Sequence, residues 1–224
     1  MKAHIINRLW LATTAAAIVI AAIMPIGTKT AAATPSTDVA TSVAGNQSKQ
    51  VAFGAGSARL ETQRRELARQ ASVPVQTIDC WENVWLFADA NDRFVSAELS
   101  YPGPDFAMLR ARATVVGPWE LFDLCRDRET GRTLMYSDAN LLYVTAELGS
   151  TYTGNRASML RARADVVGSW QQFTTTAGPG GNYVCIRSLA NSRYVSAETG
   201  LVGNYYGMLR ARHTACSTLQ TFFW

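Results

Sequence analysis

Ala90-Asn-Asp-Arg-Phe-Val-Ser-Ala-Glu98 returns as Ala139-Asn-Leu-Leu-Tyr-Val-Thr-Ala-Glu147, and again as Ala190-Asn-Ser-Arg-Tyr-Val-Ser-Ala-Glu198. Each copy is followed by one phrase: Met108-Leu-Arg-Ala-Arg112, Met159-Leu-Arg-Ala-Arg163, Met208-Leu-Arg-Ala-Arg212. A third element closes each unit: Gly117-Pro-Trp-Glu-Leu-Phe122, Gly168-Ser-Trp-Gln-Gln-Phe173, Ser217-Thr-Leu-Gln-Thr-Phe222. Three phrases repeated three times, about 50 residues apart, are an internal repeat.

The local pattern inside each unit is β. Phe94-Val-Ser-Ala-Glu98 alternates, with Val95 and Ala97 on one face and Phe94, Ser96 and Glu98 on the other. Leu109-Arg-Ala-Arg-Ala113 places Leu109 and Ala111 inward and Arg110 and Arg112 outward. Adding strands at Trp85–Ala88 and Trp119–Leu124 gives about four short strands per unit. The units run about 76–125, 126–176 and 177–224, and the third ends at Trp224, so three units are expected to be the full set. Twelve strands with no room for helices imply a closed, pseudo-symmetric barrel or a very small propeller, since closure removes exposed edges.

Upstream, Lys2 and Arg8 flank a basic head, Leu9 to Ile26 is almost wholly apolar, and Ala31-Ala-Ala33 offers a small-residue cleavage site. This order is that of a secretory signal over 1–33. An uncleaved membrane anchor is the alternative, and Pro25 and the Ala-rich exit favour cleavage. Residues 34–75 read as a disordered linker. Within it, 57–70 forms a short helix whose Leu60 and Leu67 make too thin a stripe to pack, ending near Pro74. The chain's net charge of +4 belongs to this leader: before residue 76, eight Lys and Arg face three acids. From residue 76 on, thirteen Arg face fourteen acids, so the domain offers no overall basic charge for nucleic acid.

The four cysteines, Cys80, Cys125, Cys185 and Cys216, form no CxxC motif, and His213 is the only histidine beyond the leader, so neither a metal site nor a cofactor is implied. In an exported chain an even count reads as two disulfides. Of three possible pairings, Cys80–Cys125 with Cys185–Cys216 is preferred because each bridge then staples one repeat.

The phrase R-[FY]-V-S-A-E, a small-residue loop, L-x-A-x and then G-P-W-E-x-F, over roughly residues 76–224, resembles the fascin-type β-trefoil. The resemblance implies an all-β trefoil of three four-stranded repeats of about 50 residues. Similar bacterial domains are often appended to secreted glycoside hydrolases and regarded as carbohydrate-binding. Unit 3 departs from the pattern, with Cys216-Ser-Thr-Leu-Gln in place of G-P-W-E. Actin bundling, the activity of cytoskeletal fascins, is not carried over to an exported chain.

Trp119 and Trp170 could stack on sugars, but their third equivalent is Leu219, so the slot reads as core, as do Phe122, Phe173 and Phe222. Glu98, Glu147 and Glu198 stand beside Phe94, Tyr143 and Tyr194, and could accept sugar hydroxyls or pair with the Arg residues of the next strand. The loops before each Met differ most. They carry Tyr101 and Phe106; Tyr152, Asn155 and Arg156; and Asn204, Tyr205 and Tyr206, an aromatic and amide mixture typical of recognition surfaces. Catalysis has little to use: one histidine forms no triad, and symmetry-equivalent glutamates should lie too far apart for glycoside hydrolysis.

The expectation is therefore a secreted, monomeric, non-catalytic lectin-like module that binds extracellular or cell-wall polysaccharide through up to three shallow sites. After signal cleavage it has no membrane or nucleic-acid partner. Two alternatives remain: a protein-binding or inhibitor-type module using a loop such as 148–158, and a structural surface protein with no dedicated ligand.

Overall fold

The computed structural model describes residues 47–224 apart from 180, 182, 218, 219 and 224, with side chains from residue 58 onward. The expected signal sequence and residues 34–46 of the linker lie outside the described residues. The described residues fall in one compact unit. No described helix is long and apolar enough to cross a membrane.

A helix, α1 (Gln47–Ala71), precedes thirteen strands among the described residues. The first four are β1 (Ile78–Val84), β2 (Phe87–Ala88), β3 (Arg93–Glu98) and β4 (Met108–Ala113). Next come β5 (Phe122–Asp127), β6 (Arg132–Ser137), β7 (Leu142–Ala146) and β8 (Leu160–Ala164). Then follow β9 (Phe173–Ala177), β10 (Val184–Ser188), β11 (Arg193–Glu198) and β12 (Met208–His213), and last β13 (Thr221–Phe223). All ladders are antiparallel. The sheet closes on itself because β4 pairs with β3, β8 and β12.

Closure is made by the repeated phrases. In the hairpins β3–β4, β7–β8 and β11–β12, Val95, Val144 and Val195 face Ala111, Ala162 and Ala211. Each hairpin then reaches its neighbour. Ala162 N donates to Ala107 O at 2.9 Å, Ala211 N to Ser158 O at 2.8 Å, and Ala111 N to Gly207 O at 2.7 Å. The residue before each Met has positive φ, which aims its carbonyl across the junction. At Gly207 the fit is tightest, since a Cβ there would stand 2.3 Å from Ala111 O. Inside this ring lie the alternating Val, Ala and Leu residues with Phe122, Phe173 and Phe222, all three phenyl rings fully buried. Met108, Met159 and Met208 form a second small cluster at the mouth.

The third element differs from expectation. Trp119 is 38% exposed and Trp170 half-buried, because 118–120 and 169–171 are single 3-10 turns and the strands start only at Phe122 and Phe173. In each turn it is the residue after Trp that points inward. Glu120 accepts from Gly117 N and Ser96 Oγ, and Gln171 accepts from Gly168 N while donating to Thr145 Oγ1. The polar residue is thus the core-facing one, and the Trp ring lies outside it.

Helix α1 is longer than the expected 57–70 and is not a solvated spacer. It packs on the barrel through Leu67, Ala68 and Gln63, all buried, with Leu60 beside them. Polar contacts supply what the thin apolar stripe lacks: Arg59 Nε donates to Asp123 at 2.6 Å, its NH2 pairs with Asp138, and Gln63 also donates to Asp123. The helix covers the aromatic pair Tyr136 and Tyr143 of β6 and β7. Burial pushes the Tyr143 phenol up to about 12. The corresponding pair in unit 1, Phe87 and Phe94, packs instead with Trp85 and Phe223.

Both expected disulfides are present, Cys80–Cys125 joining β1 to β5 and Cys185–Cys216 joining β10 to the turn before β13. Two disulfides suggest an extracellular or secreted protein.

Candidate functional site

The repeated glutamates do not face solvent. Glu98, Glu147 and Glu198 are buried at the ends of the first strand of each hairpin, where the partner strand brings an arginine alongside. Glu98 accepts from Arg112 Nε, and Glu147 accepts from Arg163 Nε and, at 2.9 Å, from its NH2. Glu198 accepts from Arg212 Nε and NH2 at 2.7 and 2.6 Å. The hydrogen bonds to Glu98 and Glu147 hold Arg112 and Arg163 above the usual guanidinium range. Of the two roles open to these carboxylates, the geometry displays the ion pair.

The variable loops converge rather than forming three separate sites. Arg110 Nε donates to Tyr206 O at 2.6 Å, Arg161 Nε to Phe106 O at 2.8 Å, and Arg210 Nε to Ala157 O at 2.8 Å, so each loop is held by the neighbouring unit's arginine. Tyr101 and Tyr152 accept from Arg110 and Arg161 through their hydroxyls and pack on the methionine cluster. Equivalent positions of the three loops, Asp105, Arg156 and Tyr205, meet each other. Arg156 donates to both Asp105 oxygens at 2.7 and 2.9 Å, Tyr205 OH donates to Asp105, and the guanidinium stands 5.8 Å from the Tyr205 ring centroid. The hydrogen bonds from Arg156 hold Asp105 below the usual carboxylate range. Of the expected loop residues, Phe106, Asn155, Asn204 and Tyr206 stay exposed. The others are committed to closing the barrel mouth.

An open cavity does occur, in unit 3. About 260 Å³ in volume, it is walled by Glu198, Thr199, Gly200, Arg212, His213 and Gln220. In the sequence of unit 3, three residues depart from both other units and a fourth, Gln220, departs from unit 1 alone. Leu219 stands where units 1 and 2 have Trp, His213 where they have Ala113 and Ala164, Thr199 where they have Leu99 and Leu148, and Gln220 where unit 1 has Glu120. The consequences are visible at the glycines. A Cβ on Gly149 would touch the Trp170 ring at 3.4 Å, whereas one on Gly200 would meet none of the described residues within 4 Å. Leu99 and Leu148 pack on the core, while Thr199 lines the cavity. A larger depression of about 520 Å³ lies against α1, but its Arg65 and Arg69 are already paired with Glu61 and Glu66.

Hydrogen bonding decides what this cavity presents. Glu198 Oε1 accepts from Arg212 Nε and Ser196 Oγ, and Oε2 from Arg212 NH2, so the carboxylate is engaged at both oxygens. Gln220 Oε1 accepts from Ser217 N and Oγ, leaving its NH2 as donor. His213 Nε2 is 3.9 Å from Glu198, beyond hydrogen-bond reach. Among the described residues no cluster of three ligating side chains could hold a metal ion. The sequence marked Glu198 but passed over Thr199, His213 and Gln220. Aligning unit 3 against the other two exposes Thr199 and His213 as departures, which was the available signal, whereas Gln220 repeats Gln171 of unit 2.

No family model and no curated protein matches the chain. Among solved structures, the designed threefold-symmetric protein ThreeFoil superposes with a TM-score of 0.50 at 14% identity, over 64% of this chain and 96% of that one. An exo-β-1,3-galactanase from Clostridium thermocellum gives 0.51 at 13%, over 63% and 29%. A mosquitocidal holotoxin gives 0.50 at 12%, over 65% and 17%. This chain thus matches less than a third of the galactanase or the toxin. At these identities the likeness concerns fold alone, and the class it defines is an all-β, trefoil-like barrel.

Proposed function

We propose that this protein is a secreted, non-catalytic, lectin-like module of fascin-type trefoil architecture, three four-stranded repeats, that binds extracellular or cell-wall polysaccharide. The observation carrying this reading is the unit 3 cavity, an open polar recess on a rigid barrel, at the place where unit 2 lays a tryptophan against Gly149. Recesses that orient a ligand through a few placed polar groups are the usual form of small-molecule sites. Leu99 and Leu148 packed on the core where unit 3 has Thr199, and Trp170 set against Gly149, argue for one principal site in place of three. In this reading the protein acts as a monomer, with no membrane or nucleic-acid partner, and no carboxylate serves as acid or base. The galactanase likeness fits a module of this kind but supplies no substrate for this chain.

The test is a glycan array and polysaccharide pull-down with the full chain and with Gly200→Tyr. A Cβ at Gly200 meets none of the described residues within 4 Å, so the ring should fill the cavity without disturbing the barrel. Retention on at least one glycan, abolished in the variant, is the expected result. Retention unaffected by the variant would move the site elsewhere.

A further inference from the structure

Among the side chains that wall the unit 3 cavity, free hydrogen-bond donors outnumber free acceptors. Its one carboxylate, Glu198, is taken up by Arg212 and Ser196, and the Gln220 carbonyl by Ser217. What remains to meet a ligand is the half-exposed Arg212 guanidinium, the His213 imidazole, the Gln220 NH2 and the Thr199 hydroxyl. Guanidinium and amide NH2 groups donate only. Arg210, whose field also reaches Glu198 and Arg212, makes its hydrogen bonds to the neutral carbonyls of Ala157 and Gly154, so Arg210 and Arg212 together face the one carboxylate of Glu198.

The unit comparison points the same way. Relative to unit 1, Gln220 in place of Glu120 removes one negative charge, and His213 in place of Ala113 adds a group that carries positive charge when protonated. Both changes fall on the wall of the cavity that is open. Drift on an idle surface gives no reason for loss of the covering ring and gain of a basic group to coincide in one unit.

Resting on the glycan-binding reading above, we propose that the unit 3 cavity recognises an acidic sugar, through an anionic substituent seated against Arg212 and His213. A charge-assisted hydrogen bond from the Arg212 guanidinium and an N–H from the His213 ring would hold a carboxylate or sulfate ester, while Thr199 and Gln220 meet adjoining hydroxyls.

The experiment uses the full chain and oligogalacturonate, compared by calorimetry with the same oligomer as its methyl ester, in which the backbone is kept and the charge removed. A sulfated dextran arm separates carboxylate from sulfate as the source of the anion. The acid is expected to bind about tenfold or more tightly than the ester, or the sulfated polymer to do so over plain dextran. His213→Ala and Gln220→Glu are each expected to erase most of that preference. Both variants install residues that other units carry at the same positions, so the barrel should tolerate them. Arg65→Gln, on the helix, is expected to leave it intact and so controls for non-specific attraction. Equal binding of charged and neutral forms would overturn the acidic-sugar inference while leaving glycan binding standing. A preference that survives both cavity variants would overturn it too, by placing the anion elsewhere. Absence of binding to any glycan on the array would instead remove the underlying reading.

Discussion

Glu147→Gln separates a structural from a ligand-binding role for the repeated glutamates. Glu147 is fully buried and accepts two N–H groups from Arg163, with Arg161, itself only 8% exposed, 3.6 Å away. The amide keeps the shape but removes the charge, and turns one acceptor into an NH2 facing a guanidinium. Breaking a buried ion pair costs about 3–5 kcal/mol. Arg163 is 38% exposed and keeps part of its hydration, which lowers the expected loss to about 2–3 kcal/mol. Glu61→Gln is the reference, because Glu61 pairs with Arg65 in open solvent and should cost under about 0.5 kcal/mol. Urea unfolding at neutral pH reads both, as a shift in midpoint at constant slope. Glycan retention should be unchanged in the Glu147→Gln protein. A loss below about 0.5 kcal/mol, or a stable variant that no longer retains glycan, would refute the assignment of this carboxylate to the barrel.

Other outcomes follow from the same contacts. Leu67→Ala should destabilise by about 2–4 kcal/mol in the same unfolding assay, since Leu67 is wholly buried where α1 meets the barrel. Tyr143 has its folded pKa raised by burial to about 12, so its contribution is complete below the unfolded value near 10 and lost as pH rises from there towards 12. An ultraviolet phenolate titration paired with thermal melts should show that alkaline loss, and Tyr143→Phe should shrink it. Asp105 is shifted in the other direction by its hydrogen bonds from Arg156, so its contribution is present above about pH 4 and lost as pH falls further. Asp105→Asn should flatten the acid side of the stability curve. Replacing Cys185 and Cys216 by serine should cost about 3–4 kcal/mol by the loop-entropy relation for a 31-residue separation, measured as a fall in Tm.

The repeat was fully legible in the sequence because closure depends on side chains that recur: small residues at Ala111, Ala162 and Ala211 let strands meet at the junction, and the phenylalanines fill the centre. The disulfide pairing was legible for the same reason, since each bridge lies within one unit. The tryptophans were misplaced because their slot was judged by its third occupant, Leu219, and the strand was begun at Trp119, where the chain instead makes a 3-10 turn that buries Glu120. Helix α1 was underestimated because amphipathicity counts apolar residues, and Arg59 and Gln63 dock it through Asp123. Position 123 carries no mark in the sequence that says it lies beneath a helix. Repetition drew attention to Glu98, Glu147 and Glu198, yet what recurs three times here is scaffold. The candidate cavity sits where repetition fails, at Thr199 and His213, and only the fold shows that these two departures share a wall with Gln220.

A single titration bears most directly on the account: an amide-resolved NMR experiment in which oligogalacturonate is added to the labelled full chain. Shifts concentrated at Thr199, Gly200, Leu201, Arg212 and His213, and saturating together, are the predicted result. Saturating shifts centred instead on Phe106, Asn155 and Tyr206, with the unit 3 signals unmoved, would contradict it.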